Sequence, residues 1–214
     1  MRQIALMSKL GGADPKANPS LAFAIAAAKK NQLAKDMIEV AILRGQGKSL
    51  SNMPLEPVTI EALLPYGVAA VIECEADNKK RVLQNILLII NKAGGSAGPT
   101  AYLFERRGRI EFEEQDKVGI DEALEEAIEA GAIDIVEEEN KLVVETPATE
   151  LAAISARLQE SLKIRVEKSS VIYVPKEDTV VPLTDEQAEQ LQPVLDAIEA
   201  DNDFQALHIN ASYS

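Results

Sequence analysis

The chain has 214 residues, 46% hydrophobic but only 4% aromatic, and a formal net charge of −13. That supports an Ala/Val/Ile/Leu core in one large domain or two to three small ones, and it excludes a surface uniformly suited to nucleic acid. The single cysteine, Cys74, excludes a disulfide within the chain, and no apolar run approaches the roughly 20 residues that span a bilayer, so no membrane insertion is expected.

The charge is uneven along the chain. Residues 1–50 hold 8 Lys/Arg against 3 Asp/Glu, a balance of +5, while the remainder holds 14 against 32. Residues 111–139 alone carry 13 acids and one lysine, so the chain reads as a modestly basic head on an acidic body. Met1 to Ser8 is too short for a complete secretory or mitochondrial presequence. Asn18-Pro19 reads as an N-cap with proline at the first helical position, and Leu21, Ala24, Ile25 and Ala28 form a narrow apolar stripe behind it. A second helix is expected from about Ala34 to Arg44, with Met37, Ile38, Ala41 and Ile42 inward and Gly45 at its end. Asn31 and Gln32 separate the two, giving a helical hairpin that needs a partner for its stripe.

Gly47 to Pro57 is polar and proline-punctuated, which places a boundary near residue 53. Strands follow at Val58–Leu63 and Gly67–Glu75, then a helix at Asn78–Lys92 with Val82, Ile86, Ile89 and Ile90 as its apolar side. Gly94 and Gly95 are expected to end that helix with φ > 0, and Pro99 suits a turn or strand start. A strand at Thr100–Arg107 would point Tyr102 and Phe104 one way and Leu103 the other. The closing helix and strand of a ferredoxin-like sheet are missing here and appear at the far end. Thr184-Asp-Glu-Gln187 is a capping box for a helix with Ala188, Leu191, Leu195 and Ile198 inward, which Pro193 should bend or shift in register. Phe204 to Asn210 is a final strand.

Between these parts, residues 109–174 spell a β-α-β-β-α-β unit of their own. It consists of strand Ile110–Phe112, helix Asp121–Ala130 closed by Gly131, strands Ile133–Val136 and Leu142–Glu145 flanking Asn140, helix Pro147–Leu162 and strand Ile164–Val174. The expected fold class is α+β: a helical head at 1–53, a split domain at 54–108 and 175–214, and an inserted domain at 109–174, both α+β parts ferredoxin-like.

The runs Gly67-Val-Ala-Ala-Val-Ile-Glu-Cys74, Asn91-Lys-Ala-Gly-Gly95 and Ala101-Tyr-Leu-Phe-Glu-Arg-Arg-Gly108 resemble the YebC/PmpR family, whose mitochondrial members include the translational activator of cytochrome c oxidase subunit I. The resemblance extends to Gly11-Gly-Ala-Asp-Pro-Lys-Ala-Asn-Pro19, Ala34-Lys-Asp-Met-Ile-Glu39 and Asp201-Asn-Asp-Phe-Gln205, nearly the whole chain. It implies a three-domain architecture and a non-enzymatic, RNA- or ribosome-associated translation factor of the mitochondrial matrix. The bacterial branch implies instead a DNA-binding transcriptional regulator of a bacterial-type cytoplasm. The family's basic segment starting Gly-His-Ser-Lys-Trp is missing, and Val40 and Leu43 stand where basic residues are common, which makes this head less basic than its relatives'.

Enzyme chemistry finds little footing. His208, the only histidine, is expected to face solvent from the last strand, with Leu207 and Ile209 opposite. Cys74 reads as a buried, inert thiol in a reducing compartment, and nothing in the sequence pairs it with His208. Glu113-Glu114 and Glu137-Glu-Glu139 lack the spacing of a calcium loop. Gly94-Gly-Ser-Ala-Gly98 follows a helix and precedes a strand, the reverse of a phosphate-binding loop. No catalytic residue, cofactor or metal is expected. Two basic features remain: Lys29, Lys30, Lys35, Arg44 and Lys48 on the head, and Lys79, Lys80 and Arg81 in a first helical turn, where the macrodipole disfavours cations. Either set could contact nucleic-acid phosphate. The ordinary alternatives are solvated helix faces for the first and pairing with Glu73, Glu75 or Asp77 for the second. The expected partner is the ribosome or RNA, with DNA as the alternative; a third reading is a small molecule bound between paired α+β domains. Gly94, Gly95, Gly98 and Pro99 are expected to act as a joint loop.

Overall fold

The computed structural model describes residues 1–49, 51–113, 120–138 and 141–213. The chain divides into two compact units: Met1–Ile60, Ile72–Ser96 and Gln192–Leu207 form the first, and Glu61–Val71, Ala97–Leu191 and His208 onward form the second. The expected Asn140, Glu114 and Glu139 features lie outside the described residues.

The first unit begins with three helices, α1 (Arg2–Gly11), α2 (Pro19–Lys30) and α3 (Lys35–Gly45). The hairpin expected from sequence is α2 and α3, and the partner it needs is α1, a helix without a capping signal in the sequence. Ile4 and Met7 of α1 pack against Leu21, Ala24, Ile38 and Ala41. Ser8 Oγ donates to the Ile42 carbonyl at 2.8 Å, and Gly45 lies so close to Ala5 that any Cβ there would collide with the Ala5 carbonyl oxygen. Asn18 caps α2, its Oδ1 accepting from Leu21 N at 3.0 Å while its Nδ2 donates to the Met7 and Gly12 carbonyls. Further on, α4 (Lys79–Lys92) is capped by Asn78 and buries Val82, Ile86 and Ile90.

The second unit is built on β4 (Phe104–Phe112), flanked by β6 (Lys141–Pro147) and β7 (Val166–Pro175), with β5 (Asp134–Glu138) at the edge in the order β5-β6-β4-β7. All three pairings are antiparallel. With α5 (Ile120–Ala130) and α6 (Leu151–Leu162) this is the β-α-β-β-α-β arrangement, its core made by Ile110, Phe112, Ile135, Val144, Ile154 and Leu158. Two corrections concern β4. It runs unbroken through residues 108 and 109, pairing with β7 from Phe104↔Pro175 to Phe112↔Val166, where the sequence suggested two separate strands. In front of it, Ala101–Leu103 is a 3-10 turn rather than strand, so Tyr102 projects into solvent while Phe104 is buried.

The remaining strands are β1 (Glu56–Leu63), β2 (Ala69–Ala76), β3 (Ser96–Ala97) and β9 (Phe204–Ile209), ordered β3-β1-β2-β9, so the last long strand does join the early ones. Two short strands the sequence did not signal, β8 (Val181–Leu183) and β10 (Ala211–Tyr213), pair in parallel. The capping box is present, Gln187 N donating to Thr184 Oγ1 and Thr184 N to Gln187 Oε1; it opens α7 (Asp185–Glu199), which continues through Pro193. No helix among the described residues is long and apolar enough to cross a membrane.

Candidate nucleic-acid interface

Helix amphipathicity decides where the head's charges go. The stripes of α2 and α3 turn inward, which leaves Lys29 and Lys30 in the last turn of α2 and Lys35 in the first turn of α3 exposed. Lys9, Lys16 and Lys48 are exposed as well. Only Lys35 of these six reaches a carboxylate among the described residues, Glu39 at 3.6 Å, in a pair open to water on both sides.

Arg44 behaves differently. Its side chain is 14% exposed and its guanidinium holds the carboxylate of Asp203, which is 1% exposed. Arg81 approaches the other oxygen, Nη2 lying 3.1 Å from Asp203 Oδ2 while also donating to Asp77 Oδ1 at 2.8 Å. The contact to Oδ2 is ionic without hydrogen-bond geometry, and among the described residues neither Oδ2 nor the buried Arg44 Nη1 has a hydrogen-bond partner. The Asp203 backbone is fixed too: its N donates to Asp201 Oδ1 and its carbonyl accepts from Glu75 N, both at 2.8 Å. This explains the cation in the first turn of α4. The hydrogen bond from Arg81 holds the Asp77 carboxyl below its usual range, and the Asp77 and Asp203 carboxylates outweigh burial to raise Arg81. Lys79 pairs with Glu56 at 2.9 Å, and Lys80 stays exposed with no carboxylate in reach among the described residues.

Cys74, in β2, is 2% exposed, and burial pushes its thiol up to about 12, with the nearby Asp201 and Asp203 charges adding to the effect. It is a buried thiol, as expected, and carries no nucleophile at neutral pH.

The glycine loop is not a vacant anion cradle. Gly98 N donates to the Glu61 carbonyl at 3.2 Å, and Thr100 N and Ala101 N both donate to Glu61 Oε2 at 2.7 Å. The Glu61 carboxylate thus takes the two amides just past the loop, and the Gly94 and Gly95 amides are already spent on the Asn91 and Ile90 carbonyls. Gly94 alone takes the left-handed conformation, φ 86°, whereas Gly95 does not, which corrects the expectation for the pair. The division between the two units falls at Ser96 and Ala97, inside this loop.

His208 is half-buried rather than solvent-facing, its ring 5.4 Å from that of Tyr173. On the open face of the second unit's sheet, Arg109, Glu111, Glu138, Lys141 and Val143 line a shallow depression of about 510 Å³. Its charges are mutually paired, Arg109 with Glu111 and Glu138, and Lys141 with Glu167. Among the described residues, no group of three or more His, Cys, Asp or Glu side chains has the geometry to hold a metal.

Residues 1–48 match the model of the TACO1/YebC protein N-terminal domain, and residues 55–211 match that of the TACO1/YebC second and third domain. The chain belongs to the TACO1/YebC family. A probable transcriptional regulatory protein of Persephonella marina is 35% identical over all of this chain and 86% of its own length. One from Rubrobacter xylanophilus is 36% identical, with 100% and 85% covered. A crystal structure of a conserved hypothetical protein from Aquifex aeolicus aligns with all of this chain and 87% of its own at a TM-score of 0.66 and 33% identity. The TACO1/YebC resemblance marked Asp201 to Gln205 from sequence, but not what Asp203 does: its partners lie 159 residues away at Arg44 and on α4 at Arg81. Glu61 carried no signal, because only the fold brings the loop amides to it.

Proposed function

We propose that this chain is a non-enzymatic regulator of gene expression that binds nucleic acid through its helical head, and that transcription is the step it regulates. The observation that carries this is the set of exposed head lysines, Lys9, Lys16, Lys29, Lys30 and Lys48, left without carboxylate partners among the described residues in a chain of net charge −13. Cations that stay unpaired amid an acid excess are free to replace the counterions of a polyanion. The relatives' names support transcription, and their bacterial origin supports a bacterial-type cytoplasm over the mitochondrial matrix. Arg44 and Arg81 leave the candidate set as binders and become supports of the head. Lys29, Lys30, Lys35, Lys48, Lys79 and Lys80 remain as phosphate contacts, the Lys79–Glu56 pair being open to water on both sides.

A second reading, RNA or ribosome binding in translation, draws on one feature of the head. The exposed positions of α2 carry Phe23, Lys29 and Lys30 rather than a row of Arg, Asn and Gln. Such a surface grips phosphates without reading duplex base edges. Fluorescence anisotropy with duplex DNA, structured RNA and a salt series tests both readings. The triple variant Lys29→Glu, Lys30→Glu, Lys35→Glu should bind its preferred strand at least tenfold more weakly, with a shallower salt slope and an unchanged Tm. Unchanged affinity in the triple variant rejects the head as the docking surface.

A further inference from the structure

The chain has only four tyrosines, four phenylalanines and no tryptophan, yet Tyr102, Phe104 and Tyr173 gather at one end of the β4–β7 ribbon. Tyr173 sits directly across from Arg106 in the strand register. Its ring is half-buried, met edge-on by Phe104 at 6.4 Å and 89° and flanked by His208 at 5.4 Å. These contacts fix the ring plane. The Arg106 guanidinium lies over the Tyr173 ring, 5.9 Å from its centroid, and is exposed.

Arg106 stands apart from its neighbours in charge pairing. On the same strand Arg107 binds Glu105 and Glu145, and Arg109 binds Glu111 and Glu138, whereas Arg106 reaches no carboxylate among the described residues. Close by, the turn carrying Tyr102 is pinned by two donors to the Leu103 carbonyl, Lys176 N at 3.0 Å and Thr179 Oγ1 at 2.9 Å. Tyr102 is 67% exposed on this rigid turn, and the Lys176 side chain beside it is exposed. A surface tyrosine on a pinned backbone loses little entropy when something flat lies on it.

We propose that Tyr102 and Arg106, with Tyr173 beneath the guanidinium, form a stacking site for the unpaired bases of a single-stranded nucleic acid, with Lys176 facing the backbone phosphates. The site rests on the proposed nucleic-acid function but is separate from the head. Planar guanidinium and phenol groups stack on any base, and a duplex keeps its base faces covered, so the ligand class is an unpaired strand.

The full chain is titrated into three labelled probes: oligo(dA), the same strand with abasic sites, and a duplex. Wild type should prefer oligo(dA) over the abasic strand. Arg106→Ala and Tyr102→Ala should each weaken oligo(dA) binding by about tenfold, the size of one lost stacking contact, and leave the abasic strand and duplex unchanged. Tyr102 is exposed enough that its variant keeps the wild-type Tm. Equal binding of oligo(dA) and the abasic strand by wild type overturns the site, as does full oligo(dA) affinity in both variants. The head is judged separately by Lys29→Glu with Lys30→Glu, which should weaken all three probes. If those changes have no effect while Arg106→Ala is selective for bases, the head reading fails and the stacking site stands.

Discussion

Arginines meet carboxylates at two depths in this chain. On the open sheet face of the second unit, Arg107 and Arg109 each hold two glutamates whose side chains are between 21% and 54% exposed. In the first unit, Arg44 and Asp203, 14% and 1% exposed, meet almost wholly out of water, and the half-exposed Arg81 reaches the same carboxylate from the solvent side. The Coulomb partners are alike, but water screens the first set far more than it screens the Arg44–Asp203 pair. The surface ladder can therefore lose a member cheaply, because water replaces the missing ion. The buried node cannot, because Arg44 would keep its charge in a place that water does not reach.

The sharpest test of that contrast is Asp203→Ala. Removing one partner of a buried pair costs on the order of 3 kcal/mol, and a urea melt should show the midpoint falling accordingly. A loss under about 1 kcal/mol would erase the distinction between node and ladder. The Cys74 thiol reports on the same pocket from another direction. Its folded value of about 12 lies above the ordinary 9.0, so the folded state retains a proton that the unfolded chain gives up. That contribution is complete below pH 9 and is lost as pH rises toward 12, at about 1.4 kcal/mol per pH unit. Cys74→Ala should flatten that part of the stability–pH curve, while a parallel curve would remove the thiol from the account.

Next in size is Gly94→Val, which puts a branched side chain at φ 86° and should cost more than about 1 kcal/mol. Gly95→Val, at a position without positive φ, should cost less. If activity is lost in Gly94→Val at a temperature where the chain remains folded, the loop is a functional joint; if activity tracks the melting curve, it is a connector. The smallest effect belongs to the ladder. Glu138→Gln removes the negative charge from a 2.6 Å contact to Arg109 but leaves Glu111 in place, so the change should stay within about 0.5 kcal/mol and shrink further in salt.

The sequence carried much of this fold because periodicity and caps are local signals. Asn18 and Thr184 announce the starts of α2 and α7, and the Val82–Ile86–Ile90 spacing announces α4. What it did not carry was set by long-range contact. The reading did not assign α1, whose value becomes visible only when Ile4 and Met7 meet α2 and α3. Tyr102-Leu-Phe104 alternates like a strand, yet Thr100 and Ala101 donate to Glu61, and a tight turn takes the place of a ladder there. The basic site divides along the same line. Lysines on α2 were legible as exposed because their helix face is local, whereas Arg44 looked like another of them until Asp203 came beside it.

Asp203 also bears on the order in which the chain matures. Residues 192–207 belong to the first unit and those from His208 onward to the second, so both units draw on segments far along the chain from their first residues. A ribosome delivers Arg44 first and Asp203 only 159 residues later. During that interval Arg44 has no buried anion to join, and the pairing that follows spans 159 residues, a high-contact-order event that is slow compared with helix formation. The nascent head thus emerges with one more free cation than the finished protein displays, and folding withdraws it.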